Sequence, residues 1–318
     1  MSHAIHLVVL PVFLVIGLGF SLKRTGLVKS EFLFELNRFI YYVALPALLF
    51  FKIATADFYA SFNGVLLGVL IAGIVVTFLL TYGYGKYRNY SPGVQGAFCQ
   101  GAFRGNLAYV GLAIIYSAYG EAGFAVAGIL LGFLVPIMNC LSVVALILPR
   151  KQESQLELGM AFWFRQILSN PLIIASFVGV MWSFLEIPLP EIVSRALSIL
   201  TGMSLPLALI AIGASFSFRK LRGDLGLAAL SAGIKIIAMP VFVAGGLLCL
   251  DVGGQELGIG VILAGTPTAT AAYIMAQQMK SDAELSGAII MLSTMFSLVS
   301  YTLALYLLQL IEQHGSPF

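Results

Sequence analysis

The sequence predicts an all-α integral membrane protein whose ten transmembrane helices form two inverted repeats of five. Three observations carry that reading. The 318 residues are 60% hydrophobic and only 10% charged, with apolar blocks recurring between short polar breaks. A bilayer core of ~30 Å takes about 20 apolar helical residues, and ten runs reach that scale: 4–22, 36–54, 62–84, 94–116, 122–148, 167–185, 192–216, 225–250, 257–277 and 285–311. The halves also echo each other, because Pro11, Gly19 and Leu45-Pro46 recur 160 positions later as Pro171, Gly179 and Leu205-Pro206. Five spans per half is an odd number, so the second half enters the membrane upside down. Many secondary transporters are built this way, with their sites between the repeats near the midplane.

Along the chain, the first run has no basic residue ahead of it and is followed by Lys23 and Arg24, which predicts a retained helix rather than a cleaved signal peptide. The second carries Leu45-Pro46, and Lys86 and Arg88 follow the third. The fourth holds Gly101, Gly105 and Asn106, which predict an interrupted helix. The fifth closes a first repeat over 1–150. The hydrophilic stretch from Arg150 to Glu157 predicts a cytoplasmic linker over 151–162, and 163–318 forms the second repeat. Within that repeat the sixth and seventh runs carry the echoes, the eighth encloses Lys235, and the ninth reads "LAGTPTATAAYIMAQQ". There Pro267 removes a backbone donor and pushes Thr266 out of helical geometry. The tenth run leads to the C-terminal residues. Small-residue pairs such as Gly101/Gly105 and Gly128/Gly132 allow close helix approach and say nothing about function.

Charge sets the expected orientation. Of seventeen Lys and Arg, Lys23, Arg24, Lys29, Arg38, Lys86, Arg88, Arg150, Lys151, Arg165, Arg219, Lys220, Arg222 and Lys280 lie around odd-numbered loops, against Lys52 and Arg195 around even ones. Basic loops stay cytoplasmic, so both termini are expected outside, in a multi-pass protein of the cell (inner or plasma) membrane. The hydrophilic stretches are too short for a soluble module, which speaks against nucleic-acid partners. Cys99, Cys140 and Cys249 lack metal-ligand spacing, and neither metal nor cofactor is expected.

Two cations remain, Arg104 and Lys235, each the eleventh residue of its run and so roughly 15 Å deep. A charge there costs a few kcal/mol and usually faces a cavity or a partner. No Asp or Glu occupies the middle of any run. Singly, each cation reads equally well as structural: Arg104 on the carbonyls of a broken helix, Lys235 snorkelling or capping a neighbour. Jointly, two uncompensated cations favour an anionic ligand, Arg as a bidentate fork for carboxylate and Lys as a point charge. The candidate binding residues are Arg104, Gly105, Asn106, Lys235, Thr266, Pro267, Thr268, Thr270 and Gln277. Asn106 reads as a ligand contact. For the threonines, satisfying freed backbone comes first and ligand contact second, and for Gln277 helix–helix hydrogen bonding is the default.

The stretches "LNRFIYYVALPALLF", "GAFRGNLAYVGL", "SLPLALIAIGASF", "KIIAMP" and "AGTPTATAAYIMA" together resemble the auxin efflux carrier family along the whole chain. That resemblance implies ten spans in a five-plus-five inverted repeat, a scaffold and a transport domain, broken helices four and nine crossing at the substrate site, and a homodimer. Bacterial members look like transporters of small organic anions. The asparagine at the fourth-segment crossover, which contacts the substrate carboxylate in plant members, maps onto Asn106. The chain departs from the pattern in lacking a proline at that crossover. It also lacks the long central loop of many plant members, so loop phosphoregulation is not expected.

The expected function is secondary-active or facilitated transport of small organic anions, mono- or dicarboxylates or auxin-like acids, by alternating access in the lipid bilayer. No P-loop is present, so gradients or the membrane potential would drive it. Proton coupling would fall to Lys235, since His3, His6 and His314 lie near the termini; a uniporter or exchanger is equally open. The alternative is a sodium-coupled symporter of bile-acid type, whose sites resemble a buried Glu and Gln on crossing helices; that Glu has no counterpart here. An enzyme is not expected, because no His, Asp or Glu accompanies the serines at bilayer depth and no His-Glu-x-x-His pair occurs.

Overall fold

The computed structural model describes residues 5–150, 170–216 and 224–314; the predicted linker 151–162 and the basic residues Lys151, Arg165, Arg219, Lys220 and Arg222 lie outside them. The described chain is helical, with no strand. Helix α1 (Ile5–Arg24) ends in a basic turn and is stopped by Gly26 at φ +82, a left-handed position suited to glycine. Helix α2 (Ser30–Phe39) continues through a π-helical turn, Ile40–Ala44, into α3 (Leu45–Ala54). After the short α4 (Phe58–Ser61), Asn63 caps α5 (Gly64–Tyr87) by accepting from the amides of Val65 and Leu66. Helix α6 (Pro92–Phe103) then stops, and the chain restarts as a π-helical turn, Leu107–Gly111, leading into α7 (Leu112–Ile147). Within α7 two helical segments are joined across Gly120, whose φ 61 and ψ −149 are not helical.

In the second half Asn170 caps α8 (Pro171–Phe184), and α9 (Glu191–Gly202) and α10 (Ser204–Ala214) follow. Asp224 caps α11 (Leu225–Gly233), which passes through a π-helical turn, Ile234–Ala238, into α12 (Met239–Cys249). Helices α13 (Gly254–Ala264) and α14 (Ala271–Gln278) flank the second interruption, and α15 (Ala283–His314) completes the described chain.

Seven helical stretches among the described residues are long and apolar enough to cross a membrane, and Pro171–Phe184 and Gly254–Ala264 are shorter apolar helices. The count differs from ten runs for a physical reason. The fourth and ninth runs are each split by a break, the second half of the fourth meets the fifth run across the non-helical Gly120 within the single stretch Leu107–Arg150, and the sixth run is described only from Asn170 onward. Leu14, Leu80, Val241 and Val299, well inside α1, α5, α12 and α15, are exposed. This apolar outer surface suits lipid rather than water.

Two helix pairs approach closely. A Cβ at Gly19 would strike the Ile210 backbone and one at Gly213 the Ile16 backbone, so α1 and α10 touch main chain to main chain. Helix α8 lies on α3, where a Cβ at Gly179 would sit 3.2 Å from the Phe50 carbonyl oxygen. Helices α5, α6, α11, α12, α13 and α15 pack against one another around the two interruptions.

Candidate functional site

The two interruptions meet. Arg104 (ψ 93) and Asn106 (ψ 65) leave helical geometry, and the pair is bridged in antiparallel fashion between Gly105 and Thr268. The Asn106 amide donates to the Pro267 carbonyl at 2.8 Å, and the Ala269 amide to the Arg104 carbonyl at 2.9 Å. Non-helical backbone at membrane depth must be buried and paired, and each break supplies partners for the other. Gly105 permits the crossing: a Cβ there would collide with Thr266 Oγ1 and lie 3.1 and 3.2 Å from Lys235 Cε and Nζ.

The last four carbonyls of a helix lack intrahelical donors, and at the end of α13 each finds another. Val261 accepts from the Gly265 amide at 2.8 Å, Ile262 from the Tyr301 hydroxyl at 3.2 Å, and Leu263 from Thr266 Oγ1 at 2.9 Å. Ala264 accepts from Lys235 Nζ. At the end of α6, Gly101 accepts from Thr268 Oγ1 at 2.8 Å, while the Thr268 amide donates to Ser293 Oγ at 3.0 Å. Both threonine hydroxyls are thus taken up by freed backbone, the first of the two roles the sequence allowed.

The two cations are buried among protein groups. Arg104 is 9% exposed. Its Nη1 donates to Ser142 Oγ at 2.7 Å and to the Met138 carbonyl at 3.3 Å, and its Nη2 to Asn139 Oδ1 at 2.7 Å; only Nε lacks a partner. Lys235 is 0% exposed and stands in the π-helical turn beside Gly105. Neither cation has an acidic partner among the described residues.

Asn106 differs from its neighbours. It is 7% exposed, yet its side chain makes no hydrogen bond among the described residues. It precedes a half-helix whose first amides, those of Leu107, Ala108 and Tyr109, find no acceptor there either. Free amides at a helix N-terminus carry partial positive charge and suit anions. Thr270, partly buried, holds the N-cap position of the opposing half-helix α14, whereas Gln277 is exposed near that helix's far end and is not brought to the crossing. A partly open cavity of about 10 Å³ lies among Phe103, Gly105, Leu107, Met138, Lys235 and Ala264, about the room one water needs. The crossing is closed on its own side chains.

Asn139 and Ser142, the anchors of Arg104, were absent from the candidate set. They stand three residues apart on one face of an otherwise apolar helix, which was the available signal. Tyr301 and Ser293 on α15 carried none, because that helix bears several other hydroxyl residues, Thr294, Ser297, Ser300 and Thr302 among them.

A family profile described as "Membrane transport protein" matches residues 4–305. A protein named "Uncharacterized transporter" from Methanothermobacter thermautotrophicus is 28% identical over 93% of this chain and 95% of its own length. A "Putative malonate transporter" from Rhizobium meliloti is 28% identical over 95% of both chains. "Auxin efflux carrier component 6" from Arabidopsis thaliana is 24% identical over 42% of this chain and 25% of its own length.

Proposed function

The chain belongs to the membrane transport protein family of the auxin efflux carriers and is a multi-pass membrane transporter; from that premise we propose that it carries small organic anions, mono- or dicarboxylates, by alternating access around the crossing of its two broken helices. The observation that carries the reading is Asn106, 7% exposed, whose amide has no hydrogen-bond partner among the described residues and stands at the start of a half-helix whose first N–H groups have none there either. A carboxylate would complete both. Arg104 and Lys235 keep the surroundings positive from positions already bonded to protein. Gly105, Thr266, Pro267 and Thr268 shape the crossing, and Thr270 stands at the start of the opposing half-helix. Gln277 is not needed by this arrangement. The relative named for malonate supports a short dicarboxylate as the first substrate to try.

The proposed architecture is two inverted repeats, 1–150 and 163–318, joined through 151–162. Its support is a pair of contacts related by the sequence echo: Gly19 meets Ile210 and Gly179 meets Phe50, each the other displaced by 160 positions. The reading includes a homodimer in the cell membrane with both termini outside. A fluorescent reporter that matures only in the cytoplasm, fused at Phe318, should then stay dark.

The test is uptake of labelled acetate, malonate, malate, oxalate and an indole acid into proteoliposomes, with neutral and cationic solutes as controls. Saturable anion uptake should fall at least tenfold in Asn106→Ala while the melting temperature stays near that of the parent, because no hydrogen bond is lost. Uptake indifferent to the change removes Asn106 from the site. Uptake of cations alone overturns the function.

A further inference from the structure

The end of α13 holds a feature that anion binding alone does not require. A helix C-terminus carries partial negative charge, and three of the last four carbonyls of α13 are met by neutral donors, from Gly265, Tyr301 and Thr266. The fourth, Ala264, is met by the ammonium of Lys235, a fully buried side chain with no acidic partner among the described residues. Lys235 comes from a different helix and stands in a π-helical turn, an irregularity that recurs at functional sites. In transporters with broken helices, unwound carbonyls and half-helix C-termini are the groups that coordinate a coupling cation. Here the adjoining cavity, about 10 Å³, holds at most a water, and the amine already occupies the carbonyl.

We propose that this end of α13 is a monovalent-cation site filled by the chain's own Lys235 ammonium. The tethered charge replaces the sodium that a symporter would bind, so anion transport needs no sodium. Removing the side chain opens the site to a small free cation. The proposal rests on the organic-anion reading above for its transport consequence and on geometry alone for the site.

Two readouts on the full-length protein separate these. In detergent, the parent should melt at the same temperature in choline, sodium and ethylammonium chloride at equal ionic strength. Lys235→Ala should melt lower in choline and recover saturably with sodium or ethylammonium, since a ligand that binds only the folded state stabilises it by mass action. In proteoliposomes, parent malonate uptake should agree within twofold between sodium and choline. Lys235→Ala should lose at least tenfold in choline and regain at least threefold with either small cation, and Lys235→Arg should keep sodium-independent uptake. Lys235→Gln, which keeps the stem's packing without the charge, should fold, lose uptake and respond to no cation. A sodium-dependent parent, a Lys235→Gln with parental uptake, or a Lys235→Ala whose melting ignores all three cations overturns the proposal. A parent that moves no organic anion in any salt removes the transport reading instead, and the melting titration still decides the site.

Discussion

Gly105→Ala isolates what the closed crossing needs. Gly105 does not have positive φ, so alanine meets no backbone strain there and its whole effect is steric. The added Cβ would collide with Thr266 Oγ1 and crowd the Lys235 stem. Neither neighbour swings away freely, because Thr266 Oγ1 donates to the Leu263 carbonyl and Lys235 Nζ to that of Ala264. Overpacking of this kind costs about 1–3 kcal/mol. If the crossing yields, the bonds Asn106–Pro267 and Ala269–Arg104 weaken by about 1 kcal/mol each, giving roughly 3–5 kcal/mol in all. Thermal unfolding in detergent, read beside malonate uptake, should show a melting point several degrees lower and loss of most transport. Thr266→Ala alone should cost about 1 kcal/mol, and added to Gly105→Ala it should restore stability, with a coupling of at least about 1 kcal/mol between residues in contact. A Gly105→Ala that melts and transports like the parent, or a double variant whose losses simply add, would refute this account of the crossing.

Gly213→Ala places a Cβ on the Ile16 carbonyl, backbone against backbone, and should lower stability by about 1–3 kcal/mol. Gly245→Ala in α12, with nothing within 4 Å of its Cβ, should be neutral or raise the melting point slightly; equal behaviour of the two contradicts the close approach of α1 and α10. Arg104→Gln leaves Ser142 and Asn139 without their charged donor and should cost roughly 2–4 kcal/mol in the same assay, so its transport defect must be read only after its stability; a parental melting point would mean those bonds are not made. Lys52→Met removes an ion pair with Glu121, whose side chain is 60% exposed, and should change stability by less than about 1 kcal/mol; a larger loss would show that the pair is shielded from solvent.

The helices were legible because apolar runs of bilayer length leave little choice; the capped starts at Asn63, Asn170 and Asp224, whose side chains accept from the first amides, emerge only in the structure. The breaks were legible too. Pro267 forbids a helical bond, and Gly105-Asn106 weakens one, so each interruption fell where those residues stand. The π-helical turns at Ile40–Ala44, Leu107–Gly111 and Ile234–Ala238 were not. Their i→i+5 bonds are choices among nearly equal backbone geometries, decided by packing across the fold rather than by residue type. The turn at Gly120 was legible, because it falls in the gap between the fourth run, 94–116, and the fifth, 122–148.

At the site, residue type singled out the two buried cations but not their partners. Arg104 read as half of an anion clamp because no acid shares its depth, yet neutral acceptors on α7 satisfy both of its terminal nitrogens. An arginine on a carbonyl, an amide and a hydroxyl keeps its full positive charge, since no anion cancels it, while its geometry is fixed. Lys235 is likewise fixed in place by the Ala264 carbonyl. On the proposed reading a carboxylate would meet positive potential from Arg104 without touching it, and its direct contacts would fall to the groups still unpaired among the described residues: the Asn106 amide and the N–H groups that follow it. That division separates attraction from recognition. On that proposed reading, releasing the anion would leave neither buried cation without its protein partner.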